Sequence, residues 1–226
     1  MGNILLTGFQ PFGGLKDNPS ARIVEAMENT VTGGHRIVAR TLPVTFKDAP
    51  ERIGQLISEF KPVLVISLGL AGGEAGIRLE QQAINHVDFR IPDNAGEIAR
   101  GCIEDGGPES YQSDLPLTLI LQALQHNNIP ARISDSAGTF VCNALMYSAL
   151  KLCNHNGNTI PCGFIHLPYL PEQVSELQHP VNNTEKPRAA SLDGTSDGSA
   201  NSMPLAMQIE AVQLSIKICV GKLAPD

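Results

Sequence analysis

The sequence predicts an α/β fold built on a parallel-rich sheet, and three observations carry that reading. Residues 63–68 form a short, almost wholly apolar, β-branched run that stops at Gly69, as a strand covered on both faces would. Just before it, Ile53, Leu56, Ile57 and Phe60 recur at i, i+3, i+4 and i+7, the stripe of a helix with one buried side. Strand-like and helix-like segments then alternate along the chain, the pattern of a sheet wrapped by its own connections.

Taken in order, residues 3–7 read as the first strand, and a Gly/Pro-rich loop is expected over 8–14. A helix begins near Asn18-Pro19, with Asn as N-cap and Pro just inside. The helix of the Ile53 stripe ends before Pro62, and the strand over 63–68 follows. Ile77, Leu79, Ala83, Asn85, Val87 and Phe89 fall mostly on odd positions, which predicts one or two extended segments. Leu117, Ile120, Leu121 and Leu124 mark a helix over 116–126, residues 131–134 a short strand, and Thr139 the N-cap of another helix. Residues 164–167 resemble a core strand followed by a rigid Pro-Tyr-Leu-Pro turn, and Leu205, Ile209, Val212 and Ile216 define the last helix.

A chain of 226 residues suits one domain over 1–226, interrupted by a polar stretch at about 182–203 rich in Asn, Ser, Asp, Gly, Thr and Pro. That stretch is expected to be a flexible insertion, with a substrate lid or a subunit contact as the alternative. With 42% apolar residues and no apolar run of membrane-spanning length, no bilayer partner is expected. The start lacks a basic leader, and Leu6 stands where myristoylation wants Ser or Thr, so a cytoplasmic location is expected. The Asn-Asn-Thr at 182–184 carries no weight as a glycosylation acceptor without such a leader. Five cysteines in no C-x-x-C pair read as free thiols, and a net charge of −7 makes nucleic acid an unsuitable partner.

The chemistry concentrates in two segments. In Ser136-Ala137-Gly138-Thr139-Phe140-Val141-Cys142-Asn143, a cysteine falls in the first turn of a helix, where unpaired N–H groups and the helix dipole favour a thiolate. Cys102, Cys153, Cys162 and Cys219 lack that setting and read as buried small apolar side chains. In Phe164-Ile165-His166-Leu167-Pro168-Tyr169, His166 closes an apolar strand at the rim where α/β sites form, and it can serve as a proton carrier. A third group should orient that imidazole. Glu80, in an extended segment after a Gly-rich turn, is the first choice, with Asp88 and Asp93 as rivals. The loop Gly8-Phe9-Gln10-Pro11-Phe12-Gly13-Gly14 lacks the P-loop and dinucleotide spacings, and its two phenylalanines suit the wall of a slot for a flat, uncharged ligand.

The 8–14 loop, the stretch from Glu80 to Arg90-Ile91-Pro92-Asp93-Asn94, the cysteine block 137–143 and the block 166–171 together resemble the pyroglutamyl peptidase I family of cysteine peptidases. The resemblance implies an α/β/α sandwich with a mostly parallel, mixed and twisted central sheet, a cytoplasmic homotetramer, and no metal or other cofactor. It implies removal of N-terminal pyroglutamate from peptides, with Cys142 as nucleophile, His166 as general base and Glu80 as its orienting acid. Phe9, Phe12 and Phe140 would line the lactam pocket, Arg90 would lie near the oxyanion, and Asn18 and Ile91 complete the implied substrate site. Asp135 departs from the family's usual Asn, Glu74 stands where a basic residue is common, and the polar insertion is longer than usual. Two other classes stay open at this level: a sensor that binds a cyclic amide without turnover, and a nucleoside phosphorylase on a related sheet.

Overall fold

The computed structural model describes residues 2–154, 159–178 and 201–223. The first strand, β1 (Asn3–Phe9), runs two residues past its expected end, through Gly8 and Phe9. Helix α1 (Pro19–Met27) starts as expected: Asn18 is the N-cap, and its side chain accepts a hydrogen bond from the Ser20 amide. Then come β2 (Val31–Thr32), β3 (His35–Leu42), α2 (Asp48–Phe60) and β4 (Leu64–Leu70). Lys61 ends α2 in the left-handed conformation, at φ 43°. The odd-numbered apolar residues form three short strands, β5 (Ile77–Glu80), β6 (Gln82–Ile84) and β7 (Val87–Asp88). They are followed by β8 (Arg100–Gly101), β9 (Ser110–Gln112), α3 (Leu117–His126), β10 (Ala131–Ser134) and α4 (Val141–Cys153). The chain finishes with β11 (Cys162–Leu167), α5 (Pro171–Gln178) and α6 (Leu205–Leu223). Where a rigid turn was expected, Pro171 instead opens α5, because a proline in the first turn gives up no needed N–H.

The main sheet has the order β10-β5-β11-β4-β1-β3-β2. Strands β3, β1, β4 and β11 are mutually parallel, β5 runs antiparallel to β11, and β10 is parallel to β5. Alternate side chains feed two cores. Ile4, Leu6, Ile66, Leu68, Leu79 and Ile165 pack against α1, α3 and α6. Leu5, Val65 and Phe164 pack against α2 and α4. The expected α/β arrangement, a mixed sheet flanked by helices, is what the chain adopts.

The polar insertion at about 182–203 falls, up to residue 200, outside the described residues. Beyond it, the Met203 amide donates to the Tyr169 carbonyl at 2.8 Å, which ties the approach to α6 to the end of β11. All five cysteines are free; Cys102 is exposed rather than buried as expected. No described helix is long and apolar enough to cross a membrane.

Candidate active site

Two residues of β11 share one face of the sheet, the face under α4. Phe164 is buried there, and His166 lies two positions further along at the strand's C-terminal end. On one side of His166 its register partner is Gly69 of β4, and on the other Arg78 of β5. Glu80 sits opposite Phe164, so its side chain rises on the same face and reaches diagonally to the imidazole. Nδ1 of His166 lies 2.7 Å from Oε1 of Glu80, with both side chains nearly or fully excluded from solvent.

The two rival carboxylates are engaged elsewhere. Asp93 closes the turn after it, accepting from the amides of Ala95 and Glu97 at 2.9 Å and from that of Phe46 at 2.9 Å. Asp88 pairs at the surface with Arg100. Burial raises the Glu80 carboxyl, but the His166 hydrogen bond and the charges of His166 and Arg78 outweigh it, and the net shift is downward.

The start of α4 is shaped by backbone. Gly138 takes φ 83°, a left-handed conformation that side chains with a Cβ resist. The N-cap is Phe140 rather than Thr139, whose hydroxyl instead donates to the Asp88 carbonyl at 3.3 Å. Cys142 still falls in the first turn, among amides without intrahelical acceptors. The next residue, Asn143, is fully buried: its Oδ1 accepts from the Ile84 amide at 2.9 Å and its Nδ2 donates to the carbonyls of Ile84 and His86. That clamp fixes the helix start over the sheet.

The sulfur comes down where β4 has no side chain. A Cβ built on Gly69 would lie 2.9 Å from Cys142 Sγ and 2.8 Å from Phe164 Cζ, closer than real contacts. The missing methyl is therefore the seat of the sulfur, and it adjoins His166 in the sheet register. Burial pushes the Cys142 thiol up and the Glu80 charge adds to this. Arg78 and the residue's own amide oppose it only in part, leaving it at about 12. Desolvation thus outweighs the helix start, against the expectation of a thiolate favoured by position alone. Activation needs an acceptor, and His166, held by Glu80 and lining the same cavity, is placed to be one.

That cavity, about 230 Å³, is lined by Cys142, His166, Arg78, the β4 exit Leu70-Ala71-Gly72, the turn from Ala137 to Phe140, Tyr169, Phe12, Asp88 and Arg90. It is smaller than the ~300–1,000 Å³ usual for drug-sized ligands and suits a single small ring. Phe12 and Phe140 stand 5.9 Å apart between ring centres, and Phe140 rests on buried Phe89 at 4.4 Å. Three of the implied substrate residues do not line it. Phe9 is buried against Phe164, and Ile91 is buried at 6% exposure. Asn18, fully buried, spends its side chain on capping α1 and on donating to the Gln10 carbonyl at 3.0 Å, which steadies the loop that carries Phe12. A second cavity lies between α2 and α4, bordered by Glu104, Tyr147, Ser148 and Lys151.

Sequence reasoning did not single out Arg78, Gly69, Asn143 or Tyr169. Asn143 and Tyr169 lay inside motifs already marked, whereas Arg78 and Gly69 become visible only through strand register.

A family model for pyroglutamyl peptidase matches residues 2–222. The chain is 40% identical over 220 residues to the pyrrolidone-carboxylate peptidase of Yersinia pseudotuberculosis serotype O:3 (strain YPIII), a match spanning 96% of this chain and 94% of that protein. The Yersinia pestis (strain Pestoides F) protein of the same description matches equally. Among solved structures, the pyrrolidone carboxyl peptidase of the hyperthermophile Pyrococcus furiosus superposes with a TM-score of 0.86 at 36% identity, covering 98% of this chain and 100% of that one.

Proposed function

The chain belongs to the pyroglutamyl peptidase family and is a cysteine exopeptidase that removes N-terminal pyroglutamate, and on that premise we propose that Cys142, His166 and Glu80 perform the reaction. The observation that carries this assignment is the sulfur seated on Gly69, beside an imidazole whose far nitrogen is held by a buried carboxylate at 2.7 Å.

With Nδ1–H donating to Glu80, the other ring nitrogen, Nε2, is the proton acceptor. As the pyroglutamyl carbonyl approaches, Nε2 takes the thiol proton and Sγ adds to the carbon, which moves charge onto the carbonyl oxygen. The free amides of the first turn of α4, with Arg90 at the rim, face that charge. The imidazolium then gives its proton to the departing amine, leaving a thioester. Water, deprotonated by His166, releases pyroglutamate and restores the thiol. Pyroglutamate carries no ammonium, so its slot needs no carboxylate, and the rings of Phe12 and Phe140 suit the flat lactam.

The test is hydrolysis of pyroglutamyl-aminomethylcoumarin beside its prolyl and glutamyl analogues. The wild type turns over the first alone, and Cys142→Ser abolishes it; equal turnover by the serine variant overturns the assignment. We also propose that residues 1–226 form one catalytic domain working as a cytoplasmic homotetramer on peptides, without nucleic-acid or membrane partners. The charge of −7 supports the exclusion of polyanions, and family membership supports the assembly. Sedimentation velocity at one chain mass would overturn the tetramer.

A further inference from the structure

We infer that Arg78 is a positioning residue for this reaction, one that fixes the Glu80 carboxylate against His166 and lends a positive charge to the sulfur. The inference rests on the triad assignment above.

Arg78 and Glu80 point to the same face of β5, and Arg78 lies directly across the antiparallel pair from His166. Its Nε stands 3.0 Å from Oε1 of Glu80, the same oxygen that meets His166 Nδ1. The approach is an ion-pair contact rather than an aligned hydrogen bond, and Oε2 of Glu80 has no hydrogen-bond partner among the described residues. Both charged contacts to this buried carboxylate therefore converge on one oxygen, with the Ser134 hydroxyl as a weaker neighbour. If Arg78 is lost, the imidazole is the one charged partner left to hold it among the described residues.

The guanidinium is itself pinned. Nη2 donates to Ser134 Oγ at 2.8 Å and to the Ser136 carbonyl at 3.1 Å, and Nη1 donates to Glu74 at 3.2 Å. Glu74 also takes Arg132 at 2.8 Å. Charges thus alternate inward from the surface: Arg132, Glu74, Arg78, Glu80, His166. Side-chain exposure falls from 54% at Arg132 to 24% at Glu74, 19% at Arg78 and 0% at Glu80. The outer pair is screened by water and contributes little, whereas the inner contacts act in a poorly screened setting.

The groups facing Arg78 are Glu74 from the preceding turn, Glu80 on its own strand, Arg132 from β10, His166 from β11 and Cys142 from α4. Asp88 and Arg90 complete the charged lining. The guanidinium pulls down both the Glu80 carboxyl and the Cys142 thiol. Attack needs Glu80 ionised and His166 free to accept the thiol proton, and a cation beside both groups favours each of those states, so removing this charge must raise the pH at which activity appears.

The experiment compares kcat, KM and the pH profile of pyroglutamyl-aminomethylcoumarin hydrolysis for the wild type, Arg78→Gln, Arg78→Lys and Glu74→Gln. Arg78→Gln keeps the triad, so it loses about 10- to 100-fold in kcat with KM within about twofold, and the acid limb of kcat/KM moves up by about 1 pH unit. Arg78→Lys restores the acid limb but only part of kcat, because an ammonium cannot fork to Ser134 and Ser136. Glu74→Gln removes the opposing charge and moves the acid limb the other way. An Arg78→Gln enzyme with an unmoved profile and kcat within about twofold of wild type overturns the inference, as does a Glu74→Gln shift of the same sign. Should circular dichroism show Arg78→Gln unfolded, the downward shift expected of Glu74→Gln, beside the unmoved acid limb and lowered kcat of Arg78→Lys, decides the matter. A wild type that fails to cleave would sink the triad assignment, whereas an active wild type with a silent Arg78→Gln sinks this inference alone.

Discussion

The floor and the rim of the cavity are built by different means. The floor is three neighbouring strands: Gly69 on β4, His166 on β11, Arg78 and Glu80 on β5. The rim is mostly loop: Phe12 and Phe140 are half-buried, Arg90 is exposed, and exposed Asp88 ends the two-residue strand β7. On the floor a one-residue slip would turn every polar side chain into the opposite core, so sheet pairing itself holds the reacting groups in register. On the rim, side chains can change size without moving a strand. The contrast assigns rate to the floor and substrate choice to the rim, and mutations can break it at either place.

The largest effect belongs to Glu80→Gln, which keeps the volume but removes the charge that would stabilise an imidazolium. It should lower kcat by about 1,000-fold with little change in KM, measured on the coumarin substrate. A loss below about tenfold would show that the carboxylate is structural. Gly69→Ala is next: its methyl displaces the sulfur, and a misplacement of that kind costs about 100-fold in kcat. Thermal unfolding measured alongside separates displacement from general damage. At the rim, Phe140→Leu should raise KM about tenfold while kcat stays within about threefold. A fall in kcat without a KM change would erase the distinction between the two regions.

The smallest effect is on stability. The Glu80 carboxyl is held below its ordinary value of 4.5, so its contribution is present above that pH and lost as pH falls through the lowered folded value. The difference in unfolding temperature between wild type and Glu80→Gln should narrow from pH 7 toward pH 3. A constant difference would mean the carboxylate gains nothing from its neighbours.

Much of the fold was legible because its signals are local. The apolar run of β4 (interrupted by Ser67), the Asn-Pro start of α1 and the stripes of α2, α3 and α6 each stand within a dozen or so residues. Strand β3 escaped because Arg36 and Arg40 interrupt its apolar pattern. In the structure Arg36 bonds to Asn29, while Arg40 pairs with Glu28 and lies over the Phe60 ring at 5.2 Å. Helix α5 escaped because two prolines suggested a turn. At the site, the helix start at Cys142 and the strand end at His166 were visible for the same local reason. The choice of Glu80 over Asp88 and Asp93 could not be made from spacing, since it depends on β5 lying antiparallel to β11. Arg78 was hidden for that reason too, and Phe9 and Ile91, taken as pocket residues through the resemblance, are buried and do not line the cavity.

Strand β11 is inserted between β4 and β5, which come almost a hundred residues before it in the chain and do not pair with each other. While the polypeptide is being synthesised, the segments carrying Gly69, Arg78 and Glu80 therefore emerge with no common neighbour to align them. The loop closure that brings residues 162–167 back into the middle of the sheet is long in sequence and slow for that reason. Catalytic competence needs this closure, so regained turnover during refolding would report closure of the sheet's centre rather than the formation of helices.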